Sequence, residues 1–447
     1  MNKKEKFYRC GNQTELWIYI PAYLMSYFLA KTNYHYLSGA VLILTAMALY
    51  GIAFYHSRNL VDLEGLFSLS WIGGQGIACF QLSKLQQDWN RVTWMCFFLA
   101  YLCFHLGYRI QIKKREHTNV PRTEQAIQSN DMQAKRIYFC CIALTIASIF
   151  CFTLEAVVVG YIPLFSKLPH AYSYFHISGV HYFTISCILI PGLTVVYSKV
   201  AKKKGHVAVM MLVLCNLVAV AIPILCVSRF QLIFAIGFAL VVYIAVYRKI
   251  QLKMILILLF IMVPLYILLT FARHHDVTYL NSVFEMKNSQ MPIGVTQPYM
   301  YIVNNYENFN CMVEQLITHT YGLKMLFPLF ALTGLKFIFP QLIAFPMYIT
   351  KKELTTLTMF YDAYYDFGVI GMIGFSFLLG YVVKKISDKM RTDGNPIIYL
   401  IYGQIAVYLA LSFFTTWFSN PTTWFWLVLT VMMYLFVGYQ KKEKQVL

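Results

Sequence analysis

The chain has 447 residues, of which 59% are hydrophobic and only 13% are charged. A soluble domain carries about 25% charged residues, so this composition excludes an ordinary soluble protein. The net charge of +18 would suit a nucleic-acid-binding protein, but basic residues also gather in the cytoplasmic loops of membrane proteins. Because the apolar runs are about 20 residues long, we predict an all-α, polytopic membrane protein with no nucleic-acid partner.

Twelve apolar runs along the chain are predicted to be transmembrane helices within one transmembrane domain, residues 1–447. Their predicted bounds are 16–30, 36–54, 63–83, 92–109, 137–159, 176–198, 206–227, 230–247, 253–271, 361–383, 397–414 and 421–439. With both termini in the cytoplasm, most of the 37 lysines and arginines fall on the cytoplasmic side. The positive-inside rule therefore favours an N-in, C-in topology.

One long interruption, residues 272–360, separates the ninth and tenth predicted spans. Its apolar part, Leu323–Ile349, contains three prolines and Lys336. A single crossing there would place the later basic segments outside, against the positive-inside rule. We therefore predict an extracytoplasmic cap with short helices that re-enter the membrane or lie on its surface.

Two arginines lie at the outer ends of predicted helical hairpins. Arg229 occupies a turn of two or three residues, and Arg273 begins the long loop. A planar, permanently charged guanidinium suits a phosphate or diphosphate, so the pair is predicted to bind a lipid-linked diphosphate. The alternative for Arg229 is an interfacial residue that extends to water.

His274 and His275 directly follow Arg273. Adjacent histidines of a helix point about 100° apart, and no HxxxH or HExxH spacing supports a metal site. No metal is therefore predicted, and His274 is a candidate general base.

Asp362 and Asp366 are four residues apart where the tenth span begins, so on a helix they share a face. One of them is a candidate to accept a proton from a sugar hydroxyl, and Tyr361 and Tyr365 are candidates to line a sugar site. The alternative is favourable placement of charge at a helix start beside an interfacial aromatic belt.

The segment Tyr299–Asn310 of the long loop is rich in tyrosine and asparagine, and Tyr301 and Asn305 are its predicted sugar-binding residues. Glu155, near the outer end of the fifth span, is a further candidate carboxylate, although nothing near it in the sequence converges on it.

Gly368, Gly371, Gly374 and Gly380 recur at helical spacing, and Gly368, Gly371 and Gly374 are predicted to allow close helix packing. Neither GxxxxGK[ST] nor GxGxxG occurs in the sequence, so no nucleotide cofactor is predicted. The reaction must then take its energy from an activated substrate or an ion gradient.

The segment Thr358–Gly371 carries a pattern that begins with Thr358, passes through Tyr364 and ends in Asp366-Phe367-Gly368-x-x-Gly371. Together with the arginine at an outer turn and the late, large loop, it resembles the oligosaccharide repeat-unit polymerases of bacterial O-antigens and capsules, the Wzy-type family. The resemblance covers most of the chain by architecture and about a dozen residues by identity.

The resemblance implies a glycosyltransferase related to the GT-C, lipid-donor transferases, in the bacterial inner membrane. Such an enzyme transfers a glycan from undecaprenyl diphosphate to another lipid-linked repeat unit on the extracytoplasmic face. Arg229 and Arg273 match the arginines thought to bind the diphosphates, and Asp366 with Phe367 matches the acidic–aromatic step. The family also implies a chain-length regulator and a flippase as partners, and it shares no strict base motif.

Two other functions are compatible with these features. An O-antigen ligase would have a similar fold and similar arginines, and only its acceptor would differ. A transporter of lipid-linked sugars would show broken helices at matching positions of two halves. The broken region occurs once here, which favours an enzyme.

Overall fold

The computed structural model describes residues 3–110, 129–166, 171–249 and 277–439, together with Leu256 and Phe260. The side chains of residues 3–13 and 277–278 are not part of this description. Within the described residues the protein is helical and has no β-strand, with one isolated bridge between Ser83 and Met286. The all-α prediction is confirmed there.

The helices are numbered here in chain order. They are α1 (Lys3–Lys31), α2 (His35–Ser57), α3 (Leu63–Ala78), α4 (Arg91–Arg109), α5 (Asp131–Val159), α6 (Ala171–Tyr174), α7 (Val180–Thr184), α8 (Ile190–Val200), α9 (His206–Leu225), α10 (Arg229–Tyr247), α11 (Val277–Phe284), α12 (Ile293–Gln315), α13 (Phe327–Leu332), α14 (Leu335–Ile338), α15 (Tyr361–Thr392), α16 (Ile398–Ala410) and α17 (Pro421–Gly438). Short 3₁₀ turns lie at Pro163–Phe165, Ile185–Leu189, Pro340–Leu342 and Trp417–Ser419.

Seven helical segments in the described residues are long and apolar enough to cross a bilayer. They are α2, α5, the continuous stretch Val180–Val200, α9, α10, α15 and α17. The multi-pass character of the chain is thereby confirmed. The count of twelve spans and the N-in, C-in topology stay predictions, and the predicted span 253–271 lies almost wholly outside the described residues.

Contacts within the chain group into two units. Unit 1 comprises Met1–Val120, Asp276–Lys385 and Tyr408–Thr423, and unit 2 comprises Pro121–His275, Ile386–Val407 and Trp424–Leu447. Both units are discontinuous in sequence. This grouping does not test the single transmembrane domain of residues 1–447, which stays a prediction.

In unit 1, α4 and α15 cross with their backbones in direct contact. A Cβ on Gly107 would lie 2.0 Å from the carbonyl oxygen of Phe377, and one on Gly380 would lie 2.0 Å from that of Phe104. Such an approach is possible only because both positions lack a side chain. Close packing therefore occurs at Gly380, whereas at Gly374, one of the glycines predicted to pack, a Cβ would meet nothing within 4 Å.

The helix α12 is the main departure from the predicted cap, which was expected to contain short helices. It has 23 residues, and seven of its thirteen buried residues are polar. The buried polar side chains of α12 are Thr296, Gln297, Asn304, Asn305, Glu307, Asn308 and Asn310. Asn304 and Asn308 both donate to the carbonyl of Leu354, and Asn308 also donates to that of Thr356. These hydrogen bonds therefore hold the segment Leu354–Thr356 of the cap to α12.

Unit 2 packs α5, α8, α9 and α10 around small residues. A Cβ on Gly192 of α8 would lie 2.5 Å from the ring of Phe238 in α10, and one on Gly403 of α16 would lie 2.6 Å from Val242. Close packing of this kind fixes the hairpin of α9 and α10, which carries the first candidate site residue.

Candidate functional site

Arg229 is the first residue of α10 and lies at the turn that joins α9 to α10. Its side chain is buried, with 5% of the residue exposed. A permanent charge at such a position is costly unless a partner or ligand compensates it, so few arginines are placed this way without a role. The structure thus puts Arg229 in an interior position at the end of a hairpin, rather than extended into water.

The turn before Arg229 is strained. Val227 adopts φ of +53°, although β-branched residues rarely occupy this region. The amide of Val227 donates to the carbonyl of Ile224 (2.9 Å) and that of Ser228 to the carbonyl of Pro223 (2.8 Å). This is a Schellman arrangement, in which the left-handed residue is usually glycine. Strain of this kind concentrates at functional sites, where the surroundings hold it.

Burial holds Val227 in this conformation, since only 2% of the residue is exposed. Val227 and Leu232 form a small apolar core, against which Leu164 and Tyr172 pack. The segment that follows α5 thereby fixes the direction in which α10, and with it Arg229, begins.

Glu155 of α5 is fully buried in unit 2, and three donors converge on its carboxylate. The amide of Ile177 donates to Oε1 (3.0 Å) and the hydroxyl of Thr184 to Oε2 (2.8 Å). Nδ1 of His181 lies 3.0 Å from Oε1 and 3.2 Å from Oε2. The sequence pointed to Glu155 alone, and the donors became visible only because residues 22 to 29 positions later fold back onto it.

Asp366 is fully buried in unit 1 and organises the turn at residues 320–325. Its Oδ1 accepts from the hydroxyl of Thr320 and from the amide of Lys324 (3.1 Å), and its Oδ2 accepts from the amide of Met325 (2.8 Å). Its backbone carbonyl also accepts from the amide of Tyr321, which has φ of +51°. Because both carboxylate oxygens are occupied, these contacts favour a positioning role over the predicted proton-accepting one.

Asp362 lies one turn before Asp366 and is also buried. Nζ of Lys324 is 3.8 Å from Asp362 Oδ1 and 4.9 Å from the ring centre of Tyr365. Tyr361 uses its hydroxyl to bind the backbone of Tyr348, donating to the carbonyl and accepting from the amide at 2.9 Å each. Tyr361 and Tyr365 are nearly inaccessible, so here they pack the protein, and sugar binding by them stays a prediction.

Tyr301 and Asn305 share a face of α12. Tyr301 is half-buried, with its ring centre 6.2 Å from that of Phe414. Asn305 donates to the carbonyl of Tyr301 (2.6 Å), and its buried Oδ1 has no hydrogen-bond partner among the described residues. Asn305 itself is fully buried, so sugar binding by Tyr301 and Asn305 stays a prediction.

The Asp366-Phe367-Gly368-x-x-Gly371 segment contains a sharp kink in α15. Gly368 has φ of +59° and ψ of −141°, which side chains exclude. The kink brings the carbonyl oxygen of Ala363 to 2.0 Å from where a Cβ of Gly371 would be. The two glycines therefore allow the first turn of α15, with Asp362 and Asp366, to fold against the rest of the helix.

A buried ionic cluster ties α1, α3 and α4 of unit 1 together. Nδ1 of His105 lies 2.7 Å from Glu64 Oε1 and 3.4 Å from Glu15 Oε2. Arg109 pairs with Glu15 and lies 3.5 Å from Glu64 Oε2. These residue types can bind a metal, but Arg109 already supplies positive charge to both carboxylates. We interpret the cluster as a structural ion network, whose members would be costly to remove singly.

Glu307 of α12 lies in a small cleft of unit 1 that Lys31, His35 and Asp88 also line. Trp89 donates to Glu307 Oε1 through its indole nitrogen (2.8 Å), and the amide of Gln87 donates to Oε2 (3.3 Å). Burial raises the pKa of Glu307 from 4.5 to about 8, against the lowering effect of these hydrogen bonds. At neutral pH its carboxyl is therefore largely protonated.

The raised pKa of Glu307 predicts a pH-dependent stability. The folded protein holds a proton that the unfolded chain releases near pH 4.5, so the free energy of unfolding falls as pH rises from about 5 to 8. The slope is up to about 1.4 kcal/mol per pH unit. In detergent, the melting temperature of Glu307→Gln is expected to lack this pH-dependent component, whereas that of Glu353→Gln, at an exposed carboxylate of the same unit, retains it. Equal slopes in wild type and Glu307→Gln would contradict the prediction.

Two of the predicted site residues, Arg273 and His274, lie outside the described residues. Their predicted roles, and the predicted pairing of Arg273 with Arg229, stay predictions.

The described helices define the class of this protein as a multi-pass helical membrane protein with buried charged side chains at helix ends. The model of the O-antigen polymerase family matches residues 66–415, more than half of the chain. The chain therefore belongs to the O-antigen polymerase family, as the resemblance in its sequence indicated, and the family points to a membrane polymerase of surface polysaccharide. No curated protein and no solved structure matches it.

Proposed function

We propose that this protein polymerises undecaprenyl-diphosphate-linked oligosaccharide repeat units on the extracytoplasmic face of the bacterial inner membrane. One lipid-linked glycan is the donor and another is the acceptor. The observation that carries the proposal is the buried Arg229 at the start of α10, in a chain that belongs to the O-antigen polymerase family.

The chemistry explains why an arginine would be placed there. A hydroxyl oxygen of the acceptor attacks the anomeric carbon of the donor, and the bond from that carbon to the diphosphate oxygen breaks. The electron pair leaves with undecaprenyl diphosphate, and the hydroxyl proton passes to a base. Arg229 stabilises the charge that develops on the diphosphate, and its fixed position limits the reorganisation needed during the reaction.

Residues of unit 1 are assigned to the glycan. Tyr301 offers a half-buried ring, and Asn305 lies one turn further along the same face of α12. Tyr321, with 79% of the residue exposed, lies in the turn that Asp366 holds. Aromatic faces and amide groups are the side chains that pack against and hydrogen-bond to pyranose rings, so these residues would position repeat units.

The test is polymerisation by purified protein supplied with its lipid-linked repeat unit, read as a ladder of lengthening glycans. Arg229→Gln is expected to lower the rate about 10²- to 10³-fold, the usual effect of removing one charge-stabilising group. Arg229→Lys is expected to retain an intermediate rate, because the charge stays but the planar fork is lost.

Arg248→Gln is the matched control, since it removes an arginine from the other end of α10. It is expected to polymerise at the wild-type rate. A wild-type protein that makes no ladder but moves lipid-linked sugar across liposomes would overturn the proposed function in favour of a transporter.

A further inference from the structure

The carboxylate of Glu155 and the imidazole of His181 form a dyad. Its geometry resembles that of hydrolytic enzymes in which a carboxylate orients the histidine that acts as the base. An ionised carboxylate can only accept hydrogen bonds, so Nδ1 of His181 carries the proton that faces Glu155. In the neutral form of the ring, Nε2 then carries no proton and can accept one. The Glu155 carboxylate is fully buried, whereas 25% of the His181 side chain is exposed, so the ring extends from a closed interior towards open space.

Two further contacts fix the orientation of this dyad. Ile177 and Thr184 donate to the same carboxylate, from positions on either side of His181. The carboxylate therefore cannot rotate without breaking several hydrogen bonds, and the imidazole plane is held with it. Such support is what a proton acceptor needs in order to keep one tautomer and one direction.

The dyad lies near the turn that carries Arg229. The 3₁₀ turn Ile185–Leu189, which directly follows Thr184, contacts both α9 and α10. Leu164 and Tyr172, which come between Glu155 and His181 in the chain, pack against the core formed by Val227 and Leu232. All of these residues belong to unit 2.

We propose that His181, oriented by Glu155, is the base that accepts the proton of the acceptor sugar hydroxyl while Arg229 holds the donor diphosphate. This inference rests on the proposed polymerase function. The hydroxyl proton moves to Nε2 of His181 as its oxygen bonds to the anomeric carbon, and the electron pair of the broken bond leaves with undecaprenyl diphosphate. The imidazolium, stabilised by the negative charge of Glu155, then returns its proton to water.

In this assignment Glu155 is a positioning residue and His181 the catalytic one. Asp366 is less suited to the role, because both of its oxygens already accept hydrogen bonds. The sequence offers no motif for the dyad, since the histidine follows the glutamate by 26 residues and is one of eleven in the chain.

The decisive variant is His181→Asn. Its amide nitrogen can still donate to Glu155, as Nδ1 does, but nothing occupies the place of Nε2. A base role predicts that kcat falls at least about 100-fold while KM for the lipid-linked donor stays near the wild-type value, since general-base catalysis contributes about 10²- to 10⁴-fold. A structural role predicts that this variant, which retains the hydrogen bond, is active.

Two further variants complete the test. His181→Ala is expected to regain activity when imidazole is added, which a merely structural side chain would not show. Glu155→Gln retains the shape of the side chain but lacks the charge that stabilises the imidazolium, so kcat is expected to fall about 10-fold or more with KM unchanged. His206→Asn, at an exposed histidine that begins α9, is the control and is expected to have wild-type activity.

The outcomes separate this inference from the proposed function. If wild type makes a glycan ladder and Arg229→Gln does not, but folded His181→Asn polymerises at the wild-type rate, the assignment of His181 is overturned and the polymerase stands. If wild type itself makes no ladder, the proposed polymerase function is overturned, and the assignment of His181 falls with it.

Discussion

Replacing Gly371 by alanine is expected to prevent the protein from folding correctly. A Cβ at this position would lie 2.0 Å from the carbonyl oxygen of Ala363 and 3.0 Å from the Cβ of Phe367. Neither atom can move away without backbone rearrangement, because both belong to the turn that the kink at Gly368 folds back. An overlap of this size with backbone is expected to cost more than about 4 kcal/mol, at the extreme end of single substitutions.

Gly374→Ala is the matched control for this prediction. It lies one helical turn further along α15, and a Cβ there would meet nothing within 4 Å. The control is expected to have an unchanged or higher melting temperature, since alanine favours a helix over glycine by about 1 kcal/mol. Size-exclusion chromatography and thermal unfolding in detergent would compare the two variants. A monodisperse Gly371→Ala protein with the wild-type melting temperature would show that the close approach is not required.

Replacing Asp366 by asparagine is expected to open the turn at residues 320–325 and, with it, to reduce activity strongly. One of the two oxygens that accept from Thr320, Lys324 and Met325 becomes an NH₂ group. This group cannot accept a hydrogen bond, so it faces another donor. Hydrogen bonds to a charged group contribute about 1.5–3 kcal/mol each, so hydrogen exchange at the Lys324 and Met325 amides should accelerate roughly 10- to 100-fold.

The same measurement distinguishes a positioning residue from a catalytic one. If Asp366 accepted a proton in the reaction, Asp366→Asn would be inactive while both amides kept their protection. Asp362→Asn serves as the comparison, because Asp362 contacts Lys324 only through an ion pair of 3.8 Å and holds no described backbone amide. Its effect on exchange at the turn is expected to be small.

The sequence predicted the parts of the fold that depend on apolar length. Runs such as 36–54 and 206–227 correspond closely to α2 and α9, because burial in lipid demands about 20 continuous apolar residues. The helix α12 could not be found this way, since asparagines and a glutamate interrupt its buried apolar residues. Its hydrogen bonds to Gln87 and Asn90 join residues 220 positions apart, and no local pattern reports such pairs.

Only part of the candidate site was predicted, because no local pattern reports contacts between residues that are distant in the sequence. Arg229 was recognisable because a charge in a turn between two apolar runs is conspicuous, and the structure places it in a buried position. His181 carried no such signal, because its significance depends on Glu155, which approaches it only after the chain turns between α5 and α7. The role of Gly368 was also incompletely predicted: helical spacing suggested packing, whereas the backbone shows a kink.

The polar face of α12 has a consequence for the order in which the protein is made. The amides of Gln87 and Asn90 and the hydroxyl of Thr93 find their partners on Glu307 and Asn310, which are synthesised more than 200 residues later. At about 5–20 residues per second, the ribosome needs roughly 10–45 s to proceed from these groups to their partners. During that interval these groups, which lie before and at the start of α4, must be satisfied by water or by a chaperone. Synthesis of unit 1 therefore begins with the N-terminal helices, but its hydrogen bonds to α12 can form only after α12 has been made.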